Sequence, residues 1–158
     1  FWRAVPQDKV DPSRHKFRVC SLTETKENLQ KIYDIIRKHI PNAKLLFTLS
    51  PVPLAATFRP VSCMSANSVS KSILRAALDE FYRDNWDDLN TKLFYFPSYE
   101  IVTELFFQKF KEDNRHPKDE IIEMIMKLFE YYYCDTVIDS VEELYKKLRK
   151  DNQNNIIL

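Results

Sequence analysis

Glycine is absent: none of the 158 residues is Gly, where average usage of about 7% would supply on the order of eleven. Its absence excludes a P-loop, a GxGxxG dinucleotide turn and a GxSxG nucleophile elbow within these residues. Each needs glycine for close backbone approach or for positive φ. The usual residue for ending a helix is also gone, which leaves Asn, Lys or Pro to stop helices. Charge of one sign is lacking as well. The 24 Lys+Arg and 23 Asp+Glu leave a formal net charge of +1, so nucleic acid is not expected as a partner. No apolar run approaches the ~18 residues of a membrane helix, so no membrane partner is expected either. Cysteine is sparse and odd in number: Cys20, Cys63 and Cys134 are widely spaced, with no CxxC. That pattern reads as reduced thiols in a cytoplasmic protein. His15, His39 and His116 stand at no zinc-ligand spacing from them, and no metal or cofactor is expected.

Bulk apolar material is plentiful. Hydrophobic residues make up 44% and charged residues 30%, with 11 Phe and 8 Tyr, which is globular composition with ample material for a core. The length suits one domain or part of one. The chain opens on Phe1-Trp2 rather than Met and reads as a processed product or a fragment. Arg3, Gln7, Asp8 and Lys9 interrupt any apolar run, so the first residues do not read as a signal peptide.

Residues 1–20, with Pro6 and Pro12, read as irregular. Ser21-Leu22-Thr23-Glu24 fits a capping box, and Leu29, Ile32, Tyr33, Ile36 and Ile40 form a helical stripe that ends before Pro41. Lys44 to Leu49 is a short apolar run bounded by prolines, expected as a buried parallel strand covered on both faces. Irregular chain follows to about Cys63. Val69, Ile73, Leu74, Ala77, Leu78, Phe81 and Tyr82 predict a second helix. Asp84 to Thr91 reads as a loop and Leu93-Phe94-Tyr95-Phe96 as a second buried strand. Pro97 to Glu100 opens a short helix through Phe107. After the polar loop Glu112–His116, Pro117 suits a first helical position. Ile121, Ile122, Ile125, Leu128, Phe129 and Tyr132 supply the buried stripe of that helix. Ser140-Val141-Glu142-Glu143 starts a last helix, followed by a frayed, Asn-rich tail. Helices alternating with buried strands are the pattern of an α/β sheet. Two strands make a poor sheet, so the chain reads as the second half of something larger.

The sharpest chemical pair is Asp113 and His116. At a spacing of three, Asp113 can accept from His116 Nδ1 and leave Nε2 free as a general base. The plainer alternative is a histidine beside Pro117 at a helix cap, with Asp113 solvated. Ser50 and Ser98 both follow strands, at the edge where α/β sheets bind ligands. Each is either a surrogate nucleophile or, more simply, a strand-end serine bonded to its own backbone. Asn67 and Lys71 are four apart and share a helix face. They either line a substrate pocket or serve as a helix cap and a solvated lysine. Arg59 and Arg115 could hold an anionic group or form surface ion pairs. Tyr131-Tyr132-Tyr133 is explained by packing, since only one or two of the three can face the core. Cys63 and Cys134 read as small buried apolar residues, with exposure the alternative for Cys63 because it lies in a loop.

Asp113-Asn114-Arg115-His116-Pro117 resembles the Asp-x-x-His block of the SGNH (GDSL-like) hydrolases. Thr48-Leu49-Ser50-Pro51-Val52-Pro53, Ala66-Asn67-Ser68 with Ser70-Lys71, and Tyr95-Phe96-Pro97-Ser98-Tyr99-Glu100 resemble the GSCFA family in order and spacing. The resemblance covers most of residues 1–134 and its C-terminal portion only. It implies a flavodoxin-like three-layer α/β/α fold of SGNH type, here an incomplete parallel sheet with flanking helices. Residues 1–134 would be the C-terminal part of that domain, and 135–158 a terminal helix and tail. It also implies ester-hydrolase or acyl-transfer chemistry, with candidate catalytic residues His116 as base and Asp113 as its orienting acid. The Gly-Ser-Cys-Phe-Ala segment expected to carry the nucleophile is absent here, as is the Gly/Asn block of an oxyanion hole.

Two functions follow as expectations. In the first, the intact protein is a Ser-His-Asp hydrolase or acyltransferase acting on a small acyl or acetyl ester. Carbohydrate is the attached group in related hydrolases, and this chain alone would be inactive. In the second, the chain is a non-catalytic or split module that completes its sheet with the N-terminal half of the same domain or with another chain.

Overall fold

A computed structural model describes residues 9–135; the helix expected from Ser140 and the tail lie outside them. The first helix, α1, spans Leu22–His39. Ser21 starts it by accepting the Glu24 N–H at 3.1 Å, while the Glu24 carboxylate takes a two-pronged contact from Arg18 at 2.6 Å. Arg37, Lys38 and His39 fill its last turn, where cations meet the negative end of the helix dipole. Its buried face is narrower than the expected stripe. Tyr33 is buried and Leu29 and Ile36 pack beside it, but Ile32 and Ile40 are exposed.

Strand β1 is Leu45–Thr48 and strand β2 is Leu93–Phe96. They pair in parallel, Leu45 level with Leu93 and Thr48 with Phe96. Helix α2, Cys63–Asp84, makes the crossover between them, as a parallel pair requires. Ser62 caps it by accepting from Ser65 N–H at 3.1 Å. The stretch expected as a loop after α2 carries a short 3-10 turn, Trp86–Asp88, and Asn90 at φ 60°. Helix α3 is Ser98–Leu105, and helix α4 is Asp119–Tyr133.

Side chains alternate across the sheet. Leu45, Phe47, Leu93 and Tyr95 face α1 and α2, where Tyr33, Leu78, Phe81 and Tyr82 complete the core. Phe81 and Leu93 are fully buried, each contributing about 1.5–3 kcal/mol by leaving water. Phe47 meets Phe81 edge-on at 5.7 Å and Tyr95 meets Tyr82 at 6.0 Å. On the opposite face, Phe94 packs on Tyr133 and Phe96 on Phe129 of α4. The result is a three-layer α/β/α arrangement around an incomplete parallel sheet.

The expectation of strands covered on both faces is only half met. Helix α4 covers the β2 side of its face, but at the same level on β1 Leu46 is half-buried and Thr48 exposed. Two other readings change. Pro117 does not open α4: Lys118 is its N-cap, and Pro117 is buried in an antiparallel bridge to Phe110. A proline at the foot of a tight hairpin satisfies the same fixed φ. Cys134 is exposed and Cys63 half-buried, because Cys134 lies just past the last turn of α4 and Cys63 at the first turn of α2. Among the described residues no helix is long and apolar enough to cross a membrane.

Candidate active site

Parallel strands place their C-terminal ends together, and loops leaving those ends form the usual site of an α/β sheet. Here the two ends are stitched directly. Ser98, the first residue of α3 after β2, is buried. Its Oγ donates to the Leu49 carbonyl at 3.0 Å and lies 2.6 Å from Thr48 Oγ1. The hydroxyl bonds across to the end of the neighbouring strand and not to its own backbone. Ser50 is exposed, and its Oγ accepts the Val52 N–H at 3.2 Å, a local serine turn of the plainer kind.

Pro51 and Pro53 keep the segment after β1 irregular, so its backbone groups need partners from side chains. Helix α2 supplies two of them from one face. Lys71 is buried and donates from Nζ to the Ser50 carbonyl at 2.6 Å. Asn67 Oδ1 accepts the Leu54 N–H at 3.0 Å. Lys71 is therefore not a solvated lysine, and Asn67 does not cap its helix. Burial alone pushes the Lys71 ammonium below its ordinary pKa, since desolvation disfavours the charged form.

The loop joining α3 to α4 carries Asp113 and His116. Lys111 N–H reaches the His116 carbonyl at 2.8 Å, and Lys118 N–H reaches the Lys109 carbonyl at 3.1 Å, closing a small hairpin. At its tip Asn114 takes φ 53°, the left-handed region in which Asn stands in for glycine. That turn folds His116 back onto Asp113. Asp113 Oδ1 accepts the backbone N–H of Arg115 at 2.9 Å and of His116 at 3.0 Å, while Oδ2 contacts His116 Nδ1.

The ring contact, followed by the two backbone N–H groups, holds the Asp113 carboxyl well below the usual carboxylate range. An ionised carboxylate only accepts, so Nδ1 carries the hydrogen and the Nε2 lone pair of the neutral ring is left available. The two side chains are about half exposed, at 55% for His116 and 45% for Asp113, and a partner can reach them. A shallow depression lined by Phe110, Lys111, Glu112, Asp113 and Lys118 borders the carboxylate side.

Among the described residues, one hydrogen bond joins this turn to the segment that leaves β1: Arg115 Nε donates to the Pro53 carbonyl at 3.3 Å. It ties the hairpin to the segment that leaves the C-terminal end of β1. Sequence reading did not foresee the Arg115 contact. The available signal was the proline-punctuated segment itself, whose carbonyls had no strand or helix to satisfy them. Among the described residues no hydrogen bond or ion pair joins Arg59 to this loop. All three tyrosines are exposed; among the described residues Tyr133 also reaches the sheet, donating to the Tyr95 carbonyl at 3.0 Å.

A family model, that of the GSCFA family, matches residues 2–129. No curated protein matches the chain, nor does any solved structure.

Proposed function

The chain belongs to the GSCFA family, and from that premise we propose that it carries the base half of a Ser-His-Asp ester hydrolase or acyltransferase. The nucleophilic serine and the oxyanion donors come from outside these 158 residues. In the reaction, His116 Nε2 takes the serine proton as the hydroxyl oxygen bonds to the ester carbonyl carbon. The tetrahedral adduct collapses, and the imidazolium returns that proton to the leaving alkoxide. Water or an acceptor hydroxyl then releases the acyl group by the same route in reverse. Asp113 keeps the hydrogen on Nδ1 and stabilises the imidazolium.

The observation supporting this reading is the double grip of Asp113 on His116, in a hairpin tied through Arg115 to the segment that leaves β1. The substrate is a small acyl or acetyl ester, with a carbohydrate-linked ester as the form suggested by related hydrolases. The three free cysteines support a reducing, cytoplasmic compartment. The test is para-nitrophenyl acetate turnover by the natural full-length protein and its His116→Ala variant. Loss of the base lowers turnover by roughly 10²–10⁴-fold. Equal rates remove His116 from the mechanism.

A second reading, a split module without catalysis, is favoured by the sheet. Each of its two strands has one edge without a strand neighbour among the described residues, and such an edge offers backbone donors and acceptors to another strand. Full activity with an intact His116 requirement discriminates against it.

A further inference from the structure

The segment from Ser50 to Leu54 is clamped from two directions. On one side α2 holds it at both ends, through Lys71 on the Ser50 carbonyl and Asn67 on the Leu54 N–H. On the other, Arg115 holds the Pro53 carbonyl between those two points. Arg115 is also built into the catalytic turn, because its backbone N–H is one of the groups that Asp113 accepts. The hairpin itself is short and largely exposed, so its own bonds settle the shape of the turn but not where the turn sits on the sheet. The single described side-chain bond from the 113–116 turn to the strand-end segment is that of Arg115.

We infer that Arg115 is a positioning residue: its bond to the α2-clamped Pro53 carbonyl fixes the Asp113–His116 pair against the C-terminal ends of the strands. The inference rests on reading His116 as the base and adds the part that sets its placement. A lone guanidinium–carbonyl bond between two mobile loops would position little. Here the acceptor is anchored to a 22-residue helix by a buried lysine and an asparagine, which makes it a fixed point.

The experiment is para-nitrophenyl acetate turnover by the natural full-length protein, with ring ¹⁵N NMR of His116 beside it. Arg115→Met keeps the apolar stem and removes only the donor; it lowers kcat by about tenfold or more, since a small misplacement of a catalytic group costs up to about 10²-fold, while the Nδ1–H form of the neutral ring stays dominant because the turn holds its own shape. Arg115→Lys restores a donor and returns most of kcat. An unchanged kcat in Arg115→Met overturns the positioning role, and so does loss of the Nδ1–H form in that variant, which would make Arg115 part of the turn's shape and not of its placement. Equal kcat in the native protein and His116→Ala is a different result: it removes the base, and the inference with it.

Discussion

One carboxylate holds His116 at two points: Asp113 Oδ1 accepts its backbone N–H at 3.0 Å while Oδ2 contacts its ring at Nδ1. The ring contact is the largest of the influences that depress the Asp113 carboxyl, ahead of the two backbone N–H groups. A depressed folded-state value means the pairing contributes fully above the ordinary carboxylate value of about 3.9 and is lost as pH falls through the lower folded value. Carboxyl ¹³C NMR should place the Asp113 midpoint well below the ordinary value. In His116→Ala the midpoint rises part of the way back, because both backbone donors remain. A midpoint that does not move on that substitution contradicts the assigned order of causes.

Asn114 makes that double hold possible by taking φ 53°. A β-carbon in this region costs roughly 1–2 kcal/mol for ordinary residues, and Asn and Gly are the residues that visit it routinely. Asn114→Gly is expected to be near neutral in thermal unfolding. Asn114→Val should destabilise by about 1–2 kcal/mol, since a β-branched residue is the least suited to this region. Equal stability of the two variants would show that the turn does not depend on the left-handed residue.

Much of this architecture is legible in the amino-acid sequence. Leu93–Phe96 is legible to the residue, because a short continuous apolar run between turn signals suits a buried strand and is too brief for a helix. Ser21 announces α1 through its cap. Asp113 and His116 are legible as a pair because their contact is local, three residues apart. Lys71 is not, since no local pattern says which lysine on a helix will lie beneath an irregular loop. Arg115 and Pro53 stand 62 positions apart, and their meeting depends on how the hairpin settles on the sheet. Pro117 is ambiguous because its fixed φ suits a helix start and a hairpin foot equally well.

Ser98 ties the two strand ends. Its Oγ donates to Leu49 and meets Thr48 Oγ1 in a buried setting. Ser98→Ala leaves buried polar groups without that partner, a loss of about 1–3 kcal/mol measured by denaturant unfolding. The same substitution should leave reaction with a serine-directed phosphonate unchanged, because the hydroxyl is already engaged. Phosphonate labelling of the 158-residue chain that vanishes in Ser98→Ala would reverse the assignment and make Ser98 the attacking group.

Lys71 gives the α2 clamp a pH signature. Burial lowers its pKa from the ordinary lysine value, so between the lowered value and about 10.4 the unfolded chain holds a proton that the folded chain has released. Stability rises with pH wherever the unfolded state binds more protons, and the Lys71 contribution therefore increases as pH climbs toward that ordinary value. Lys71→Met keeps the stem but cannot titrate. Urea unfolding across this alkaline window should show native stability gaining on that of the variant as pH rises. The comparison removes the opposing tendency of Tyr33, which is common to both proteins. Its hydroxyl, buried and bonded to Asp88, is raised to about 12, and its contribution falls away above the ordinary tyrosine value of about 10. A constant gap between native chain and variant would mean that Lys71 keeps its proton equally in both states and is not desolvated beneath the Ser50 carbonyl.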